Sequence, residues 1–363
     1  MTATLPSLDA LAGMLRTHQA ASGAFPACPS FSQYPYSWLR DSSFIAYALD
    51  CAGDHAAAGD YHRWAARTIA AQAGRVQELI RQRAQGQPIE DSAFLPTRFA
   101  LSGEALGDDW PNFQLDGYGQ WLWSLGEHLK LRGLTELPEE FAPGVHVTLD
   151  YLRAFWKEPC YDCWEEFPYR WHTSTLASIF GGLRQMAAFF PDLDALAAEI
   201  RAFTMEQAVT SGQLNKFIGY PEVDASLLWT AVPFGLLELD DPVFTRTLSA
   251  IERDLLRGGV HRYARDTYYG GGSWVLLTAW LGWVYARQGR AEDAARLLNW
   301  VRAQDQGNGL PEQTTEALLC PEYLTYWQER WGESARPLLW SHAMHLILEA
   351  EVHALSPTAG VPS

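Results

Sequence analysis

Apolar residues recur three or four positions apart through most of the chain, and two-residue alternation is scarce, so the pattern predicts helices almost throughout. Leu8, Leu11 and Leu15 follow Ser7, a side chain suited to capping a helix start, and place a first helix within residues 1–20. Pro26 to Pro35 reads as loop. Helical spacing resumes over 43–51 and 56–85. It recurs at 115–132, 146–157, 173–189, 192–211, 223–237, 243–256, 273–289, 291–304 and 335–354. Gly133, the Pro143-Gly144 pair, Pro191 and the Asp240-Asp241-Pro242 turn punctuate the series. That makes roughly twelve to thirteen helices of modest length. No Gly/Ser or Pro-repeat linker divides them, so residues 1–363 are expected to form a single all-α domain of successive helical hairpins, with 355–363 a disordered tail.

Composition narrows the partners. A net charge of −16 argues against nucleic acid and against an anionic membrane surface, and the three lysines, Lys130, Lys157 and Lys216, form no basic run. No apolar run reaches the ~18 residues needed to span a bilayer. The N-terminus lacks a basic start followed by an apolar stretch, so no secretion signal is expected and the protein is placed in the cytoplasm. Five cysteines, an odd number, then read as reduced thiols. Cys160 and Cys163 have CxxC spacing, but no second pair or nearby histidines complete a zinc site, so no metal and no cofactor are expected. Sixteen Trp and fifteen Tyr exceed what packing alone requires. Their flat apolar faces and polar edges suit sugars, although large helical cores also collect aromatics.

The chemically loaded stretches are 34–41, 110–118, 161–167, 262–274 and 309–313, all assigned to loops between helices, where a pocket would be assembled. In Tyr161-Asp162-Cys163-Trp164-Glu165-Glu166-Phe167, two acids sit between aromatic rings. Apolar surroundings raise a carboxyl pKa, and such a group can hold and deliver a proton. The same stretch also reads as a helix entry with acids on its dipole. Arg40 and Asp41, after Tyr34 and Trp38, could grip vicinal hydroxyls or simply pair with each other. Trp110 could stack on a sugar face, and Asp116 reads equally as a helix cap. Gly270-Gly271-Gly272, following Arg262, Tyr263, Asp266 and Tyr268 and preceding Trp274, lacks the strand and Lys-Ser/Thr of a phosphate loop. Glu312 after Pro311 is an ordinary helix-start acid or the partner of Glu165, since glycoside hydrolysis uses two facing carboxyls. His342 is read as packing rather than catalysis, and no nucleophile elbow supports a serine hydrolase.

In this order, Trp38-x-Arg40-Asp41, Trp164-Glu165-Glu166, Arg262-Tyr263-x-x-Asp266-x-Tyr268 through Trp274, Pro311-Glu312-Gln313 and Trp340-Ser341-His342-Ala343 resemble the glucoamylase family, glycoside hydrolase family 15. Asp224-Ala225-Ser226-Leu227 and the Asp240-Asp241-Pro242 turn resemble its bacterial members. The resemblance implies an (α/α)6 barrel, here without the N-terminal β-sandwich of many relatives. It implies release of glucose from a non-reducing end with inversion, and it makes Glu165 the general acid and Glu312 the general base. The substrate-binding set it implies is Tyr34, Trp38, Arg40, Asp41, Trp110, Trp164, Glu166, Arg262, Tyr263, Asp266, Tyr268 and Trp274. Inversion would set the two carboxyls roughly 6.5–9.5 Å apart. The expected substrates are short α-1,6- or α-1,4-linked gluco-oligosaccharides of the isomaltose or maltose type, acted on by a monomer or small homo-oligomer. The alternatives are an α,α-trehalase-type hydrolase, a sugar-binding protein without turnover, and a helical-barrel lyase or epimerase with His or Tyr in place of Glu312.

Overall fold

The computed structural model describes residues 7–355, so the expected tail lies outside the described residues except for Leu355, which ends a helix. Helices α1 (Leu8–Arg16), α2 (Leu39–Cys51), α3 (His55–Ala70), α4 (Ala73–Ala84), α5 (Asp116–Leu131), α6 (Ala142–Phe155) and α7 (Thr173–Met186) are followed by α8 (Leu193–Gln207), α9 (Pro242–Leu255), α10 (Val275–Arg287), α11 (Ala291–Ala303), α12 (Leu324–Trp331) and α13 (Leu339–Leu355). Among the described residues the strands are pairs of two residues each, as expected from the scarcity of alternation.

Packing sorts these elements into two concentric rings. The inner ring runs α2, α5, α7, the 3-10 turn Ala225–Thr230, α10 and α13, with α13 closing against α2. Its members are buried over most of their length: Leu39 to Asp50 of α2 and Val275 to Ala286 of α10 are all buried. Such helices show little amphipathic contrast because both faces meet protein. Helices α1, α3, α6, α8, α9 and α11 alternate with them in the chain and pack outside. These carry the clear one-sided pattern; α9 buries Phe244, Thr247, Leu248, Ile251 and Leu255 at three- and four-residue spacing. The result is an (α/α)6 barrel. Where α5 crosses α7 the backbones nearly touch, and a Cβ on Gly119 would lie 2.5 Å from the Ser178 carbonyl oxygen.

Five points of the expected layout need correction. The helix over 223–237 is a 3-10 turn of Ala225–Thr230, because Pro233 lacks an N–H and Gly235 is left-handed, so no α-helical ladder continues. The first helix ends at Arg16 and the 56–85 helix breaks at residues 71–72, which lets α4 turn onto α6. Helix α12 was unforeseen, being short and built on aromatics. Arg40, Asp41 and Asp116 are not in loops but in the first turns of α2 and α5.

Candidate active site

The N-terminal ends of α2, α10 and α13 open on one cavity of about 350 Å³. Arg40 and Asp41 enter it from the first turn of α2, Trp274 from just before α10, and Trp340 from the start of α13. Tyr34, Trp38, Trp110, Trp164, Glu165, Glu166, Arg262, Tyr268 and Glu312 complete the expected residues on its wall. Trp327 and Trp331 of α12 also line it, which the sequence pattern did not indicate.

Glu165 sits on a strained loop. Its backbone is left-handed (φ 66°), as are those of Phe167 (49°) and Tyr169 (63°), a conformation that costs side-chain-bearing residues free energy. The loop is held from beneath by a buried ion triad. Lys216 Nζ lies 2.5 Å from Asp224 Oδ2 and 3.3 Å from Asp162 Oδ2. Asp162 Oδ1 accepts the backbone N–H groups of Trp164 (3.0 Å) and Glu166 (2.8 Å), and Asp224 accepts Trp164 Nε1–H (3.0 Å). Burial alone would raise the Asp224 carboxyl, but the Lys216 ammonium and hydrogen bonds hold it below its ordinary value. So held, Glu165 presents Oε1 to Trp38 Nε1–H (2.7 Å), to the Gln114 amide (3.2 Å) and to the Arg40 guanidinium (3.6 Å). All three approach the same oxygen.

Glu312 arrives on the loop between α11 and α12 and is pinned on several sides. Its N–H donates to the Ala335 carbonyl (2.9 Å), its own carbonyl accepts Val275 N–H (3.2 Å), and Ser341 Oγ–H donates to the Pro311 carbonyl (2.8 Å). Leu310 N–H donates to His342 Nε2 (2.8 Å). Burial pushes His342 down to about 3, so the ring stays neutral and keeps the lone pair this bond needs. Glu312 is 4% exposed, with Oε2 lacking any hydrogen-bond partner. Burial pushes it up to about 8, against the opposing charge of Arg262 and the Tyr34 hydroxyl, with Asp41 adding to the rise. Tyr34 and Tyr268 bond to each other through their hydroxyls (3.0 Å).

Other side chains hold these in place. Arg40 NH1 donates to Gln114 Oε1 (2.8 Å) and Asp116 Oδ2 (3.1 Å), while burial pushes Asp41 up to about 7 against Arg40. Tyr263 and Asp266 are placed behind the wall rather than on it. Asp266 grips the Arg262 guanidinium through Nε (2.7 Å) and NH2 (2.5 Å), and Tyr263 O–H donates to Glu166 Oε2 (2.5 Å). Arg262 also reaches Glu166 Oε1 (3.2 Å), and burial raises that carboxyl against Arg262. Sequence reasoning missed Gln114, Lys216 and Asp162 as parts of the site. Gln114 and Lys216 carry no local motif, and their roles exist only once distant segments meet.

A barrel of paired helix rings whose mouth gathers acids, two arginine forks and a wall of indoles has the chemistry of a glycoside hydrolase. The comparisons agree: the family profile "Glycosyl hydrolases family 15" matches residues 8–349, and the chain belongs to that family. It is 43% identical over 357 residues to the isomaltose glucohydrolase of Kribbella flavida, covering 95% of this chain and 92% of the relative. A solved glycosidase variant in complex with glucose is 42% identical, with a TM-score of 0.91 and 96% of each chain covered. The glucoamylase of Saccharomycopsis fibuligera, 16% identical with a TM-score of 0.65 over 96% of each chain, shares the fold. Among the described residues no helix is long and apolar enough to cross a membrane.

Proposed function

We propose that this glycoside hydrolase removes glucose from the non-reducing end of short α-1,6-linked oligosaccharides, isomaltose first, with inversion at the anomeric carbon. The observation that carries the reading is that Glu165 and Glu312, 147 positions apart in sequence (312 − 165), line one cavity in unlike surroundings. Glu165, with Oε1 occupied by three donors, delivers a proton from Oε2 to the glycosidic oxygen. Glu312, facing the same cavity with Oε2 unpartnered, takes the proton of the attacking water. Arg40 and Asp41 hold the terminal sugar's hydroxyls, and Trp110, Trp164 and Trp274 supply stacking faces. Glu166, held by Tyr263 and Arg262, faces the leaving sugar. The 43% identity to an isomaltose glucohydrolase supports the linkage, and five unpaired thiols support a reducing compartment.

Because Glu312 must be ionised to accept a proton, kcat/KM should climb as pH rises toward its raised pKa of about 8. Purified Glu165→Gln and Glu312→Gln variants are expected to lose at least about a hundredfold in kcat on isomaltose. Near wild-type turnover in either would reject the assignment. Glucose release from isomaltose, maltose and trehalose, measured side by side, decides between this specificity and a trehalase.

A further inference from the structure

At the far ends of two inner helices from the sugar cavity, three potential metal ligands converge. Asp50 lies in the last turn of α2, His128 near the end of α5, and His55 opens α3. Their donor atoms all lie within 4.8 Å of one another. His55 Nδ1 is 2.7 Å from Asp50 Oδ1, and His128 Nδ1 is 2.9 Å from both Asp50 oxygens. Asp50 and His128 are buried, whereas the His55 side chain is 40% exposed, so the cluster is reachable from solvent.

We propose that Asp50, His55 and His128 form a binding site for one borderline divalent cation of the zinc type, with water filling the remaining positions. One carboxylate and two imidazole nitrogens are a ligand set such ions favour, at about 2.0–2.2 Å from the metal. Donors already this close need shift little to meet one ion.

The unpaired nitrogens nearby point the same way. With Asp50 accepting an N–H from each ring, His128 carries its proton on Nδ1, and Nε2 is left as a buried lone pair without a donor. The His62 ring, 5.0 Å from His128 between centroids, is buried with neither nitrogen bonded. A cation on His128 Nδ1 moves that ring's proton to Nε2, the nitrogen that now lacks a partner. Asp41 and Asp50 stand nine residues apart on α2, roughly 14 Å at helical rise, so the ion is structural. It would clamp the two helices whose other ends join Arg40 to Asp116.

The test uses the full chain, stripped by chelator and titrated with Co²⁺ followed by absorption, and with Zn²⁺ followed by thermal unfolding. One Co²⁺ per chain with visible d–d bands is expected, together with a rise in Tm of several degrees at saturating Zn²⁺. His55→Ala, at a partly exposed helix start, should weaken binding at least tenfold while leaving metal-free hydrolysis of isomaltose unchanged. Glu165→Gln should bind the ion like wild type. No saturable binding, or equal affinity in His55→Ala, would overturn the proposal and leave the cluster a hydrogen-bonded tie.

Discussion

At the scale of single residues, Glu312 shows how far the site departs from what folding alone would choose. Its carboxyl is buried with one oxygen unpartnered, and its folded pKa of about 8 stands above the ordinary 4.5. Between those values the unfolded chain ionises while the folded chain keeps its proton. Stability is therefore undiminished below about 4.5 and falls as pH rises toward 8. Asp41, pushed up to about 7, adds to the same trend. Glu312→Gln removes the larger share. The variant's gain in Tm over wild type should be small at pH 5 and reach several degrees at pH 8, on the order of a few kcal/mol. Thermal unfolding across that range checks it, and a gain independent of pH would contradict it. Glu165, Glu312, Arg40, Arg262 and the indoles of Trp38, Trp110, Trp164 and Trp274 were legible in the sequence because aromatic-flanked charge is unusual, whereas Trp327 and Trp331 were not. Gln114 was not legible as a support, whereas His342 was read as packing and is a buried, hydrogen-bonded ring. An amide becomes functional only through the groups that folding sets opposite it.

At the scale of elements, the acid loop depends on a triad that no local pattern announces. Lys216 neutralises Asp162 and Asp224, and these two carboxylates receive the N–H groups of Trp164 and Glu166 on either side of the left-handed Glu165. Lys216→Met leaves both acids buried without a counter-charge, and should cost about 3–5 kcal/mol in chemical denaturation. Lys216→Met combined with Asp224→Asn should recover part of that loss. A single variant as stable as wild type would show that the triad holds nothing. Helices themselves were read well where an outer face alternates, as in α9. Reading failed at 223–237, where helical spacing was real but Pro233 and Gly235 broke the ladder. It failed too at the start of α2, where Arg40 and Asp41 look like loop residues. They are polar, yet they sit on a helix end that faces a cavity rather than a core.

At the scale of the whole molecule, the alternation of outer and inner helices brings the N-terminal ends of α2, α10 and α13 to one mouth. That convergence joins segments from Tyr34 to Trp340 into a single pocket, so the catalytic reading concerns the barrel and not any one motif. The all-α class followed from periodicity. The closure of the helices, with α13 returning to α2, did not, because contacts between the two ends of a chain leave no trace in local spacing. The central claim is that Glu165 and Glu312 act from opposite faces of one glucosyl bond. It is tested most directly by ¹H NMR of the first minutes of isomaltose hydrolysis. The account predicts that β-glucose appears first, with the α-anomer growing in only at the rate of mutarotation. Release of α-glucose as the first product would contradict it.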